Sequence, residues 1–140
     1  MLVSTRGRYA LRVMLELAQR PAGSFTPLPV IAEAQSVSEK YLESIVVLLS
    51  RAGLVDGVRG KGGGYRLTRT PDQYAVGEIL RLTEGSLAPV TCLEGEENTC
   101  PRAGHCRTLP MWEKLDSMIN DYLDSVSLAD LLRETDGSNL

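Results

Sequence analysis

Apolar residues recur at spacings of three and four in several stretches of this sequence, which is the pattern of amphipathic helices. The first stretch predicts a helix over residues 5–19, ended by a segment that contains proline and glycine. Two more helices follow closely, one beginning near Leu28 and one spanning residues 39–52. Ser38 is a suitable N-cap for the second of them, whose early turns carry polar residues. The pair predicts a helix-turn-helix over about residues 28–51.

The periodicity then changes to two short runs of strand-forming residues, 54–58 and 65–68, separated by a glycine-rich tip. Such runs around glycines predict a β-hairpin, here over residues 54–68. A hairpin that directly follows a helix-turn-helix is typical of a winged helix. The predicted fold class is therefore mainly α with a small β-hairpin wing.

The longest amphipathic stretch comes after Pro110 and repeats as the a and d positions of a coiled coil do. It predicts a long C-terminal dimerisation helix, followed by a closing helix that Ser127 caps. We thus expect a winged helix-turn-helix DNA-binding domain over residues 1–85, a cysteine-containing loop over 86–108, and a dimerisation helix, closing helix and loose tail over 109–140.

Charge is divided unevenly along the chain. Residues 1–69 carry ten Lys and Arg against five Asp and Glu, whereas residues 70–140 carry five against thirteen. The first half therefore suits a polyanion such as double-stranded DNA. No apolar run approaches the ~20 residues of a membrane span, and the basic first segment does not resemble a signal peptide. We expect a cytoplasmic protein without a membrane partner.

The second helix of the helix-turn-helix, over residues 39–52, is called the recognition helix below. This helix and the hairpin tip supply the candidate DNA contacts, because one α-helix fits the major groove and a basic tip suits a minor groove. A phosphate-binding loop and a purely structural hairpin are the alternatives for the glycine-rich tip. No Gly-Lys-Ser/Thr sequence leads into a helix there, which disfavours the first. The candidate DNA-binding residues are Ser38, Lys40, Tyr41, Glu43, Ser44, Arg59, Gly60 and Lys61.

Cys92, Cys100 and Cys106 follow one another as Cys-x(7)-Cys-x(5)-Cys in a polar loop. Thiolates bind soft metals, and clustered thiols outside a disulfide framework favour metal binding or redox sensing. Three thiolates need a fourth ligand for an iron–sulfur cluster or tetrahedral zinc. A bare thiol sensor remains an alternative. We find no nucleophile–base–orienter set or nucleotide fingerprint, so we do not expect an enzyme.

Several motifs together resemble the IscR/NsrR family of bacterial winged-helix iron–sulfur transcription regulators, and the IscR-like members in particular. The resemblance runs nearly end to end. It is carried by residues 5–10 (TRGRYA), 38–43 (SEKYLE), 58–65 (VRGKGGGY), 76–80 (VGEIL), the three cysteines and 127–131 (SLADL). It implies a homodimer on a palindromic operator and a cluster held by the three cysteines. It also implies that Glu43 discriminates between operator classes.

The chain departs from the family pattern at the fourth ligand. IscR-like proteins have a histidine three residues after the third cysteine, where this chain has Leu109, and NsrR-like proteins use an aspartate where it has Arg8. His105, a nearby glutamate, a residue of the partner subunit or an external thiol remain open. We expect a 2Fe-2S cluster ahead of a 4Fe-4S cluster.

The resemblance favours a repressor that senses iron–sulfur cluster status and controls cluster biogenesis or related genes. A regulator that responds to nitric oxide or iron is one alternative. A cluster-free, thiol- or zinc-dependent DNA-binding protein is another.

Overall fold

The computed structural model describes residues 2–135. Within them, six α-helices and two strands span Thr5–Ala18 (α1), Leu28–Gln35 (α2), Glu39–Arg51 (α3), Val55–Val58 (β1), Gly64–Leu67 (β2), Val76–Glu84 (α4), Leu109–Ser125 (α5) and Leu128–Thr135 (α6). Short 3-10 turns lie at Pro71–Gln73 and Thr91–Leu93. The prediction of a winged helix with a long C-terminal helix is confirmed. The predicted loose tail begins at Thr135, which is the last residue of α6, and residues 136–140 lie outside the described residues.

One apolar core joins the first three helices, because each presents a stripe of apolar residues at helical spacing. Fully burying one such side chain stabilises a fold by about 1.5–3 kcal/mol. Two serines begin α1 and α3 as N-caps: Ser4 Oγ accepts a hydrogen bond from the Gly7 N–H (3.0 Å) and Ser38 Oγ accepts one from the Tyr41 N–H (3.2 Å). The core residues of the three helices are Ala10, Val13, Met14, Leu17, Ile31, Ala32, Leu42, Ile45, Val46 and Leu49.

The wing is an antiparallel hairpin that is docked against the start of α2. Its strands pair from Val55–Leu67 to Val58–Gly64. Thr26 and Tyr65 exchange two backbone hydrogen bonds of 2.9 and 2.8 Å. Gly64 lies at this contact with φ 141°, and a Cβ there would come within 2.3 Å of the Thr26 backbone. Glycine is therefore needed for the close approach that fixes the wing relative to the helix-turn-helix.

A second, smaller apolar cluster holds the C-terminal helices to this body. Backbone hydrogen bonds reinforce it, from the Val76 N–H to the Val126 carbonyl (2.8 Å) and from the Leu128 N–H to the Tyr74 carbonyl (3.1 Å). The helix α5 nevertheless buries none of its 17 residues. Within residues 2–135, every helix is too short or too polar to span a lipid bilayer. The cluster comprises Val76, Leu80 and Leu87, with Ile119 and Leu123 packed against it.

Candidate nucleic-acid interface

The first turns of α3 present polar side chains to solvent while its opposite side is fixed in the core. Lys40, Glu43 and Ser44 are exposed, as expected for residues that reach DNA. The Ser38 hydroxyl oxygen caps the helix, and its hydrogen remains available for a phosphate. The Ser44 hydroxyl donates to the Tyr41 carbonyl (3.0 Å), so part of its bonding capacity is already used.

Tyr41 differs from the other predicted contacts because it is half-buried. Its ring meets the edge of the Tyr9 ring, with centroids 5.8 Å apart and planes at 86°. Edge-to-face pairs of this kind are favourable. The Tyr41 ring therefore connects the recognition helix to α1.

Arg12 holds the turn that precedes the recognition helix. Its guanidinium donates to the Gln35 carbonyl (2.6 Å) and to Gln35 Oε1 (2.8 Å), and it lies 4.5 Å from the centre of the Tyr9 ring. The next residue, Ser36, has a left-handed backbone with φ 54°. Because the last carbonyls of a helix lack partners within it, a cation placed there stabilises the end of α2.

The wing tip presents Arg59, Gly60 and Lys61 to solvent, as the sequence predicted. A backbone hydrogen bond from the Gly63 N–H to the Gly60 carbonyl (3.0 Å) closes the turn. Among the described residues, neither Arg59 nor Lys61 has a carboxylate partner. The tip therefore keeps its full positive charge for an external anion.

A cleft of about 240 Å³ separates the outer face of α3 from the wing. Arg51 and Arg59 line opposite sides, and the exposed side chains of Val47 and Val58 contribute apolar surface between them. Neither arginine is paired within residues 2–135. Val47 and Arg51 are not among the contacts predicted from the sequence, although both continue the helical stripe of Lys40 and Ser44. Their proximity to the hairpin could be found only from the tertiary structure.

The three cysteines lie in the connection between α4 and α5, and all three are partly exposed free thiols. Cys92 is in the 3-10 turn Thr91–Leu93, and Cys106 lies just before α5. Nowhere in residues 2–135 do three His, Cys, Asp or Glu side chains come together as a metal site. The ligand set Cys92, Cys100 and Cys106 therefore stays a prediction. His105 is exposed, and Leu109 is the first residue of α5.

Two features of this loop suit the binding of a metal–sulfur group by the cysteine thiols. The Asn98 side chain accepts from the Cys100 N–H (2.9 Å), yet its buried Nδ2 has no partner in the described part of the chain. The Thr108 hydroxyl, 3.3 Å from Cys106 Sγ, and backbone N–H groups lower the pKa of Cys106 below its usual value. An unsatisfied donor in a cysteine-containing loop fits an anionic metal–sulfur group. The thiols and the free N–H donor are of the types that such a group binds. The loop has to change conformation before the three thiols can reach one group.

The helix α5 carries an exposed apolar seam formed by Met111, Leu115, Met118 and Tyr122, which are 37–68% exposed. Their spacing of four, three and four residues places them on one side of the helix. Such a contiguous apolar stripe is unusual on a surface that stays in water. These residues are called the apolar seam below.

Comparisons with known proteins agree with this architecture. Residues 3–134 match the model of the Rrf2 family, described as "Iron-dependent Transcriptional regulator". The chain is 40% identical over 137 residues to the HTH-type transcriptional regulator CymR of Bacillus subtilis, covering 98% of this chain and 94% of that protein. It is 39% identical over 132 residues to the HTH-type transcriptional regulator IscR of Aliivibrio salmonicida, covering 94% and 77%.

Solved structures give the same picture. That of CymR, named the global cysteine regulator of B. subtilis, superposes with a TM-score of 0.79 over 97% of this chain and 99% of that chain at 40% identity. That of IscR from T. potens superposes with a TM-score of 0.77 over 100% and 92% at 37% identity. The relatives named here are transcriptional regulators rather than enzymes.

Proposed function

The chain belongs to the Rrf2 family of transcriptional regulators, and we propose that it binds a palindromic operator as a homodimer whose affinity depends on the state of the cysteine loop. It is a DNA-binding regulator and not an enzyme. The observation that carries the proposal is the basic cleft between α3 and the wing, whose two arginines have no partner within residues 2–135. Its working compartment is the cytoplasm, where operator DNA is found.

The exposed residues divide into those that read bases and those that hold the backbone. Lys40, Glu43 and Ser44 suit base edges in the major groove, where a carboxylate accepts from a cytosine amino group. A sugar–phosphate strand suits the cleft, because Arg51 and Arg59 neutralise phosphates from two sides and the valines contact deoxyribose. The rest of the wing tip, Gly60 and Lys61, then reaches the neighbouring minor groove. Ser38 and Tyr41 complete the proposed set, as a phosphate donor and a positioning contact.

The homodimer rests on the apolar seam of α5. A second copy is the natural occupant, because two-fold pairing places the same stripe opposite itself. Two recognition helices would then face two half-sites about one turn of the duplex apart, ~34 Å. Burial of the seam in this way also accounts for a 17-residue helix none of whose residues is fully buried in the single chain.

We propose that Cys92, Cys100 and Cys106 hold an iron–sulfur cluster, and we favour a 2Fe-2S cluster over a 4Fe-4S cluster. The donor chemistry of the loop and the unsatisfied Asn98 Nδ2 support this. When bound, the cluster supplies a redox- and oxygen-sensitive centre. The chain's own contribution is to bind the cluster through the thiols. Because the loop joins the end of α4 to the start of α5, a change in its conformation on binding is transmitted to α5.

A second candidate has a specific observation in its favour. This candidate is a thiol regulator, and the observation is that the cysteines do not converge on a metal site among the described residues. In that case the thiols act without metal. Purification without oxygen, followed by absorption spectroscopy and by iron and sulfide analysis, separates the two candidates. We expect coloured protein with iron and sulfide, which Cys106→Ser loses. Colourless, iron-free protein would favour the thiol regulator.

Gel-shift titrations at several salt concentrations test the DNA-binding residues. We expect Arg59→Ala to lower the slope of log affinity against log salt by about one unit, as expected for one lost phosphate contact. Glu43→Ala should instead change the preference between sequences more than the total affinity, because an acid near phosphates contributes little attraction. Equal salt slopes together with equal affinities for Arg59→Ala and the unmodified protein would show that the wing does not engage DNA.

A further inference from the structure

Besides the apolar cluster, a single arginine on α4 binds two polar side chains of the long helix α5. Arg81 Nε and Nη2 both donate to Asn120 Oδ1, at 3.2 and 2.9 Å. Its Nη1 and Nη2 also bind the two carboxylate oxygens of Asp124, at 2.8 and 2.9 Å. A guanidinium engaged along two edges at once fixes its partners in rotation as well as in distance, which a lysine cannot do.

The acceptors are themselves held in position. The Asn120 amide donates from Nδ2 to the Asp116 carbonyl (2.8 Å) and to Asp116 Oδ1 (3.2 Å), so its oxygen faces Arg81. On α4, Gly77 leaves the space for Asp124, because a Cβ there would lie 2.3 Å from Asp124 Oδ1. The contact therefore depends on complementary residues of both helices.

The position of this contact along the two helices is informative. Val76 is bonded to Val126, Gly77 lies against Asp124, and Arg81 lies against Asn120, so the helices run antiparallel. Toward the C-terminal end of α4, within residues 2–135, Arg81 is the last residue whose side chain forms a hydrogen bond with α5. The part of α5 that precedes Asn120, residues 109–119, extends past this contact and carries three of the four residues of the apolar seam.

At about 100° per residue, Asn120 and Asp124 lie roughly 150–170° around α5 from the centre of the apolar seam. Arg81 therefore grips α5 on the side opposite its exposed stripe. Rotation of α5 about its own axis would have to break this contact before it could redirect the seam.

We propose that Arg81 is a positioning residue for operator spacing: by fixing the rotation of α5 on the DNA-binding body, it sets the separation of the two recognition helices and hence of the half-sites accepted. The inference rests on the proposed pairing of two copies through α5. Arg81 touches no base, so its removal changes which spacing is accepted and leaves the reading of each half-site intact.

The test uses the full chain and a duplex selected by the unmodified protein from a random library. The two half-sites of this duplex are then moved apart or together in steps of one base pair. Each step turns one half-site by about 34° around the duplex, so we expect the unmodified protein to lose about tenfold in affinity per step. Arg81→Gln should reduce that penalty to about threefold or less, with unchanged affinity for an isolated half-site.

Arg20→Gln is the matched control, because Arg20 also binds a carboxylate, Glu16 at 3.0 Å, with 33% side-chain exposure against 37% for Arg81. It should keep the sharp spacing optimum. A folded, dimeric Arg81→Gln protein with the unmodified spacing profile would overturn the proposal. If circular dichroism shows that Arg81→Gln does not fold, Asn120→Ala is tested in its place. This variant keeps the ion pair between Arg81 and Asp124, so we expect it to reduce the spacing penalty, but by less than is expected for Arg81→Gln.

Failure of the proposed function is a different outcome. If the unmodified protein selects no duplex, or binds paired and isolated half-sites equally well, dimeric operator binding is wrong and the role of Arg81 falls with it. If the unmodified protein shows a sharp optimum and every Arg81 and Asn120 variant shares it, only the role of Arg81 is wrong.

Discussion

The DNA-reading body and the segment that follows it differ in what they bury. Leu42, Ile45, Val46 and Leu49 of α3 are fully buried, whereas no residue from 88 to 127 is buried. The body is therefore complete within one chain. The cysteine loop and α5 leave their apolar and sulfur groups accessible, as expected for elements that are completed by a second copy and a bound group. The contrast suggests a division between a fixed reader and a segment whose state depends on its partners.

The largest expected effect lies in the body. Leu49→Ala should lower the free energy of unfolding by about 2–5 kcal/mol, because it leaves a cavity in a fully packed core. Urea denaturation measures this. Leu115→Ala, in the apolar seam, should cost less, and its cost should depend on protein concentration because the seam is buried only in the dimer. Equal, concentration-independent losses for the two variants would contradict the contrast.

A charge placed in the apolar seam tests whether a second copy of the chain buries α5. Met118→Glu should weaken dimerisation by at least about thirtyfold, since burying an unpaired carboxylate costs ~2 kcal/mol or more. Sedimentation equilibrium measures the dimer constant. Ser117→Glu adds the same charge to an exposed neighbouring position outside the seam and should leave the dimer intact. If both variants remain dimeric, α5 is not the interface.

The cleft gives a smaller effect that is specific to DNA. Arg51→Gln should lower operator affinity by about tenfold or less and reduce the salt slope by about one unit, as expected for one phosphate contact. Arg20→Gln, which removes a paired arginine elsewhere on the body, should change neither. The measurement is fluorescence anisotropy of a labelled duplex over a salt series. A salt slope unaffected by Arg51→Gln would exclude phosphate from the cleft.

The smallest effect concerns Glu84, at the border between the two regions. Burial alone would raise the pKa of Glu84, but hydrogen bonds from the Ser4 side chain and N–H (both 2.7 Å) and from Thr83 outweigh it and lower the pKa. A carboxyl with a lowered folded pKa stabilises the fold above its unfolded pKa, and this stabilisation is lost as pH falls through the folded value.

Glu84→Gln should therefore reduce stability at neutral pH by up to about 1 kcal/mol, and the difference from the unmodified protein should shrink as the solution is acidified to about pH 3. Thermal unfolding over that pH range measures it. A constant difference would mean that the charge of Glu84 does not stabilise the start of α1.

The same division explains what the sequence could predict. Helix periodicity, the Ser38 cap and the glycine-rich tip are local signals, so the helix-turn-helix and wing could be predicted from the sequence. The packing of Tyr41 on Tyr9 and the contact of Arg81 with Asn120, 39 residues away, depend on how elements meet. The three cysteines do not come together as a metal site among the described residues, and local sequence patterns carry no information about whether they can.

Within one protein preparation, the most direct test compares duplex affinity with the cysteine loop filled and emptied. Protein purified without oxygen is titrated against its selected duplex before and after chelation strips the metal. A coupling of about 1–3 kcal/mol, typical of linked sites, predicts a 5- to 150-fold difference. Identical affinities on every duplex, with iron analysis confirming loss of metal, would contradict the claim that the loop controls the reader.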